Sequence, residues 1–148
     1  MFERILAAID SDRERSLRVV AAAGELARAF GSEVLVAHVR ELERPAPMVV
    51  AVGRPGATRP ALHLESRDEA RRLVTAAVER LRGEGVQARG QVAFSGGSTA
   101  RELLAIARSH GATLIVVGDR GSHVGDLLLG RVSHRILHLA DCPVFVVR

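Results

Sequence analysis

The chain contains no Lys, no Trp and no Tyr: its 21 basic residues are all Arg, and Phe occurs only four times in 148 residues. Each absence removes a chemistry. Without Lys there is no Walker-A phosphate loop, no strand-borne lysine of the protein-kinase kind and no Schiff-base amine for pyridoxal. With so few aromatic rings, stacking platforms for nucleic-acid bases are poorly supplied. The single Cys, Cys142, cannot close an internal disulfide, form a CxxC redox pair or build a Cys-based zinc site, and it suits a reducing cytoplasm. The start, MFERILAAIDSD, has charges too early and an apolar run too short for a secretory signal, and no run of about 18 apolar residues spans a bilayer. Neither a membrane nor a nucleic acid is therefore an expected partner. The net charge of +4 fits that view, because Arg is scattered among Asp and Glu as on a solvated surface.

What remains is a globular balance, 47% hydrophobic against 26% charged, in a length that suits one domain over residues 1–148. Five short apolar runs, Ile5–Ile9, Val34–Val39, Val86–Phe94, Leu114–Val117 and Val144–Val147, are rich in Val and Ile. All but the third lack polar alternation, as expected of parallel strands buried on both faces. Between them lie segments of helical period. The first covers Asp12–Phe30 with Leu17, Val20, Ala21 and Gly24 inward; the second carries Ala70, Leu73, Val74, Ala77 and Leu81 on one stripe. The third covers Ala100–His110 and the fourth Val132–Leu139. Ser11…Glu14, Ser66…Glu69 and Thr99…Glu102 match the capping box, and Gly31, Gly83 and Gly111 follow the first three helices. The alternation implies an α/β layer structure. Residues 41–64 break the rhythm with Pro45, Pro47, Pro55, Pro60, Gly53 and Gly56 and read as a long loop, either a lid or a surface insertion.

Open parallel sheets bind ligands beyond the carboxyl ends of their strands, where strand order reverses. The first strand ends in Asp10. The fourth runs into VVGDRGSHVGDLLLGRVSHRIL, which places Gly118, Gly121, Gly125 and Gly130 in a loop before the fourth helix. Glycines let backbone N–H groups approach a phosphate, and a helix N-terminus adds a favourable dipole, so this cradle needs no Lys.

With these residues in view, the chain resembles the universal stress protein family over essentially its whole length. The likeness rests on Ile5-Leu6-Ala7-Ala8-Ile9-Asp10, Ser16, His38-Val39, Ala112-Thr113-Leu114-Ile115-Val116-Val117-Gly118, the glycine loop and Cys142-Pro143-Val144-Phe145-Val146-Val147. The resemblance implies an open five-stranded parallel sheet of order 3-2-1-4-5 with helices on both faces, Rossmann-like and of the adenine nucleotide alpha hydrolase-like kind. It further implies a homodimer formed through the last strand, and ATP, with Mg²⁺, as ligand. Carried over by position, Ala8, Asp10 and Val39 would lie along adenine and ribose, while Gly118, Arg120, Gly121, Gly130, Arg131, Val132 and Ser133 would surround ribose and phosphates. The family signature is Gly, two residues, Gly, nine residues, Gly, then Ser or Thr. Here eight residues separate Gly121 from Gly130, and Arg131 stands in place of the hydroxyl residue. Arg131 either pairs with a phosphate or fills the phosphate space.

Other features carry plainer alternatives. Asp10 is either a ligand contact or a carboxylate at a helix start. His134 and His138 are spaced i, i+4, but without the Glu of HExxH they read as surface histidines, so no structural metal is expected. Gly96-Gly97-Ser98 reads as a tight turn before an anion nest, and Cys142 as a packing residue before a nucleophile. No triad, paired carboxylates or metal cluster accompanies the loop, so the expectation is no enzyme, with at most very slow ATP hydrolysis. The expected function is a cytoplasmic stress-response sensor or regulator that binds an adenine nucleotide. The alternatives are a nucleotide-independent dimeric interaction module and a cyclic AMP binder.

Overall fold

The computed structural model describes residues 1–41, 65–119 and 130–148. Strand and helix alternate through them as β1 (Arg4–Ile9), α1 (Arg13–Phe30), β2 (Glu33–Glu41), α2 (Arg67–Gly83), β3 (Ala88–Ser95), α3 (Thr99–His110), β4 (Leu114–Gly118), α4 (Arg131–Leu139) and β5 (Val144–Val147). The strands form one parallel sheet in the order β3-β2-β1-β4-β5, as the resemblance implied.

The continuous apolar character of β1, β2 and β4 follows from burial on both faces. Ile5, Ala7 and Ile9 meet α1 and α2 together with Val34, Val36, Leu114 and Val116. Their neighbours Leu6 and Ala8 turn the other way and join Leu35, Ala37, Val39, Ile115 and Val117 against α3 and α4. A strand side chain alternates between faces, so a strand covered twice has no polar position to spare. β5 departs from that expectation. It forms the edge of the sheet beyond β4, and Phe145 is 45% exposed, so its apolar run is not buried on both faces.

Helix borders and stripes also differ in detail. Asp12, not Ser11, caps α1, accepting from the Arg15 N–H, and Ser98, not Thr99, caps α3. The capping box at Ser66 and Glu69 is as expected. α1 and α3 end in the left-handed Gly31 and Gly111, whereas Gly83 is the last helical residue of α2 and Glu84 follows it. On α1 the buried stripe runs through Ser16, Val19, Val20, Ala23, Gly24 and Ala27, which leaves Leu17 exposed. One apolar residue in a regular stripe is thus displaced by a serine, and the reason lies at the site.

Candidate functional site

The strand order reverses between β1 and β4, where one neighbour leads outward to β2 and the other to β5. In an open parallel sheet this reversal opens a crevice at the strands' carboxyl ends. Asp10 and Gly118 lie at those two ends, and the register pairs Ala8 with Val117 just before them, two residues ahead of Asp10 and one ahead of Gly118.

Asp10 is held by the first turn of α1, with its side chain 37% exposed. Its backbone N–H donates to the Ser16 hydroxyl at 3.1 Å, and that hydroxyl donates to the Asp10 carbonyl at 2.8 Å. Ser16 is buried because it fastens the β1–α1 turn, and its place on the inner stripe exposes Leu17 instead. The carboxylate is fastened too. Oδ1 accepts from the Asp12 N–H at 2.8 Å, and Oδ2 lies 2.7 Å from both Nε and Nη2 of Arg15. Arg15 also reaches Asp12, with Nη1 3.5 Å from Oδ2. The Arg15 N–H on Asp12, followed by the Arg15 charge, holds the Asp12 carboxyl below its ordinary value. The helix-capping role thus falls to Asp12, and Asp10 sits two residues earlier, at the strand end.

Gly118 serves α1 before any ligand. A Cβ there would lie 2.4 Å from Arg15 Cγ and 2.7 Å from Cδ, so only glycine lets the Arg15 stem cross the end of β4. The Gly118 carbonyl accepts from the Ser133 hydroxyl at 2.7 Å. Ser133 is buried, and its side chain ties α4 to β4 while its backbone N–H remains at the helix start.

α4 begins differently from the other helices. Its N-cap, Gly130, offers no side-chain hydrogen bond, and its first turn holds no acidic residue. Each of α1, α2 and α3 has both a side-chain cap and an acid there. The first intrahelical bond at this end runs from the His134 N–H to the Gly130 carbonyl at 2.9 Å. The N–H groups of Arg131, Val132 and Ser133 therefore precede the helix's own hydrogen-bond ladder, and the positive end of the dipole is uncompensated among the described residues. Arg131 is exposed in the first position, and Val132 is half-buried against the α3 and α4 layer.

Ala8 and Val39 share the sheet face that α3 and α4 cover. Beside them His38 is buried: Nδ1 donates to the Ile9 carbonyl at 3.0 Å, and Nε2 faces the Glu65 carboxyl at 2.7 Å. Arg40 donates to the Glu65 carbonyl through Nε at 3.0 Å and Nη2 at 2.7 Å. Residues 38, 40 and 65 thus fasten the chain on either side of residues 42–64. Asp119 follows Gly118; its N–H donates to the Val147 carbonyl at 2.8 Å, and its Oδ1 has no hydrogen-bond partner among the described residues.

The structure therefore brings together Asp10, Gly118, Gly130 and Ser133, with Ala8 and Val39 on the adjoining face. Arg120 and Gly121, and the expected loop apart from Glu41, lie outside the described residues. Sequence reasoning missed Arg15, Asp12 and Glu65. An i, i+3 pair between Asp12 and Arg15 was visible, but the grip on Asp10 depends on how the turn folds back. The plainer alternatives hold elsewhere. The Gly97 N–H is taken by Ser95 at 3.2 Å, so Gly96-Gly97-Ser98 is a turn that ends in a helix cap. His134 and His138 stack edge-on at 4.5 Å on the exposed side of α4, as surface histidines. Burial, and then the Asp141 charge, push the Cys142 thiol up, which makes it a poor nucleophile. No helix among the described residues is long and apolar enough to cross a membrane.

A family model described as the universal stress protein family (Usp) matches residues 1–148. The chain belongs to the universal stress protein family. Within that family it is 34% identical over 151 residues to universal stress protein YxiE of Bacillus subtilis strain 168, with 100% of both chains covered. A universal stress protein structure from Archaeoglobus fulgidus is similar with a TM-score of 0.75 and 27% identity, again over 100% of both chains. Another from that organism, in complex with dAMP, has a TM-score of 0.70 at 24% identity and covers 100% of this chain and 98% of that one. The likeness to the dAMP complex is one of fold.

Proposed function

We propose that this universal stress protein family member binds an adenine nucleotide, ATP with Mg²⁺ foremost, in the crevice between β1 and β4. The observation that carries the proposal is the start of α4: an N-terminus with neither a capping side chain nor an acidic residue, set beside a fixed Asp10 at the strand-order reversal. Three preceding N–H groups and the helix dipole suit phosphate oxygens. The Asp10 carboxylate, an acceptor, suits ribose hydroxyls, and the small Ala8 with apolar Val39 suits the adenine face. Support from outside the chain is the A. fulgidus relative of the same fold, described in complex with dAMP.

In this proposal the protein acts in the cytoplasm as a stress-response sensor or regulator, reporting the bound nucleotide through its conformation or partners. Hydrolysis, in the same proposal, is very slow or absent. Isothermal titration with ATP–Mg²⁺ tests the reading. The expected result is micromolar affinity, weakened about tenfold or more by Asp10→Ala, which removes an acceptor for the ribose. A wild-type protein that shows no binding at millimolar ATP overturns it. Cyclic AMP as competitor separates the two adenine ligands, since it lacks the polyphosphate that the α4 N-terminus would hold.

A homodimer through β5 belongs to the same proposal. β5 is an open parallel-sheet edge bearing an exposed Phe145, and such an edge invites pairing with a second copy.

A further inference from the structure

Two carboxylates lie beyond the end of β1, Asp10 after the strand and Asp12 at the cap of α1, and a third, the mostly buried Asp119, follows β4. A polyanionic ligand entering this crevice meets their combined repulsion, which is weakly screened at such range. A cation bridges the first two. Arg15 is 14% exposed, reaches Asp10 Oδ2 with two N–H groups at 2.7 Å, and lies 3.5 Å from Asp12. Arg148, 3.8 Å from Asp119, is far more exposed. The stem of Arg15 passes over Gly118 through space that a Cβ would close. The cation therefore approaches Asp10 from the α1 side of the sheet, whereas Ala8 and Val39 lie on the α3 and α4 side.

We propose that Arg15 is the specificity-determining, positioning residue of this site: it aims the Asp10 carboxylate and offsets its charge, so that the crevice accepts a nucleotide's phosphates and not only a nucleoside. The inference rests on the adenine-nucleotide reading above. It assigns Gly118 a role as well, that of admitting Arg15. Of the carboxylate's four acceptor sites, the Asp12 N–H takes one and Arg15 takes two, which leaves one for a ligand hydroxyl. Without Arg15 the carboxylate loses its orientation and its counter-charge together.

The test compares ATP–Mg²⁺ with adenosine by titration calorimetry on the full chain. Arg15→Met keeps the stem over Gly118 and removes the charge; it is expected to weaken ATP about tenfold and adenosine about twofold or less. Arg15→Lys, which restores charge without the double hydrogen bond, should recover part of the ATP affinity and none of the orientation. The ATP loss in Arg15→Met should shrink at high salt. In an Asp10→Asn background, where the charge that Arg15 grips with two hydrogen bonds is gone, Arg15→Met should change ATP binding by less than about twofold. A residue that merely supports the fold would weaken both ligands alike and show no dependence on Asp10, and either result overturns the inference. If Arg15→Met does not fold, Gly118→Ala supplies the same comparison by displacing the stem, and its effect should diminish in an Arg15→Ala background. Wild-type binding with an unchanged Arg15→Met sinks this inference alone. A wild-type protein that binds neither ligand sinks the nucleotide reading and this inference together.

Discussion

At the scale of single residues, two buried polar side chains show how differently the same chemistry is used. Ser16 is saturated, donating to and accepting from the Asp10 backbone, and it holds the β1–α1 turn. His110, at the end of α3, is not. Nδ1 accepts from Arg89 Nη2 at 2.8 Å, while the buried Nε2 has no partner among the described residues. Burial, and then the Arg89 charge, hold its pKa below the ordinary 6.5. The folded state therefore binds this proton less readily than the unfolded chain. Its contribution to stability is intact above the ordinary value and falls away as pH drops through about 6.5 toward the lower folded value. Thermal unfolding across that range should show a falling midpoint that His110→Gln flattens. Identical slopes in the two proteins would exclude His110 as the cause. Of these residues, Asp10 and Ser16 stand out in the sequence through the family resemblance. Arg15 and His110 do not, because their partners lie in other elements or across a folded turn.

At the scale of elements, helix ends show the limits of local signals. A hydroxyl followed three residues later by Glu marks Ser66 correctly but is off by one at α1 and α3. In both misplaced cases a second cap-competent residue, Asp12 or Ser98, lies next to the expected one, and packing of the helix on the sheet selects between them. Packing also explains a glycine in mid-strand. A Cβ at Gly90 on β3 would lie 2.2 Å from Val74 Cγ1 and 3.2 Å from Val78 Cγ2, so α2 rests directly on the strand backbone. Gly90→Ala should destabilise the protein by about 1–3 kcal/mol through this overlap. Adding Val74→Ala should recover part of the loss, and chemical denaturation of the single and double variants measures both. Additive losses would show that the clash is not the cause.

At the scale of the whole molecule, the two sheet edges differ. β3 carries mostly polar or small residues outward and Phe94 lies under Arg40, 5.9 Å from its ring centroid. β5 exposes Phe145 on an edge of nearly unbroken apolar sequence, and Leu139 at the end of α4 is exposed as well. Phe145→Arg should shift the proposed homodimer toward monomer, read as a fall in sedimentation coefficient at fixed concentration, with the thermal midpoint little changed because the side chain is outside the core. A wild-type protein that sediments as a monomer at high concentration would end the dimer proposal.

By itself the sequence determined the alternation of five strands and four helices, the burial of the inner strands and the family. The elements follow from continuous apolar runs, helical periods of three to four residues and turn chemistry, and the family from the resemblance of its motifs, all of them properties of neighbours along the chain. Only the tertiary structure decided that Arg15 grips Asp10, that Gly118 makes room for it, that Ser133 spends its hydroxyl on β4, and that the last apolar strand leaves Phe145 exposed. Each of these depends on which elements the sheet order sets side by side. No local pattern encodes that adjacency, because the residues concerned meet only after the strands have paired.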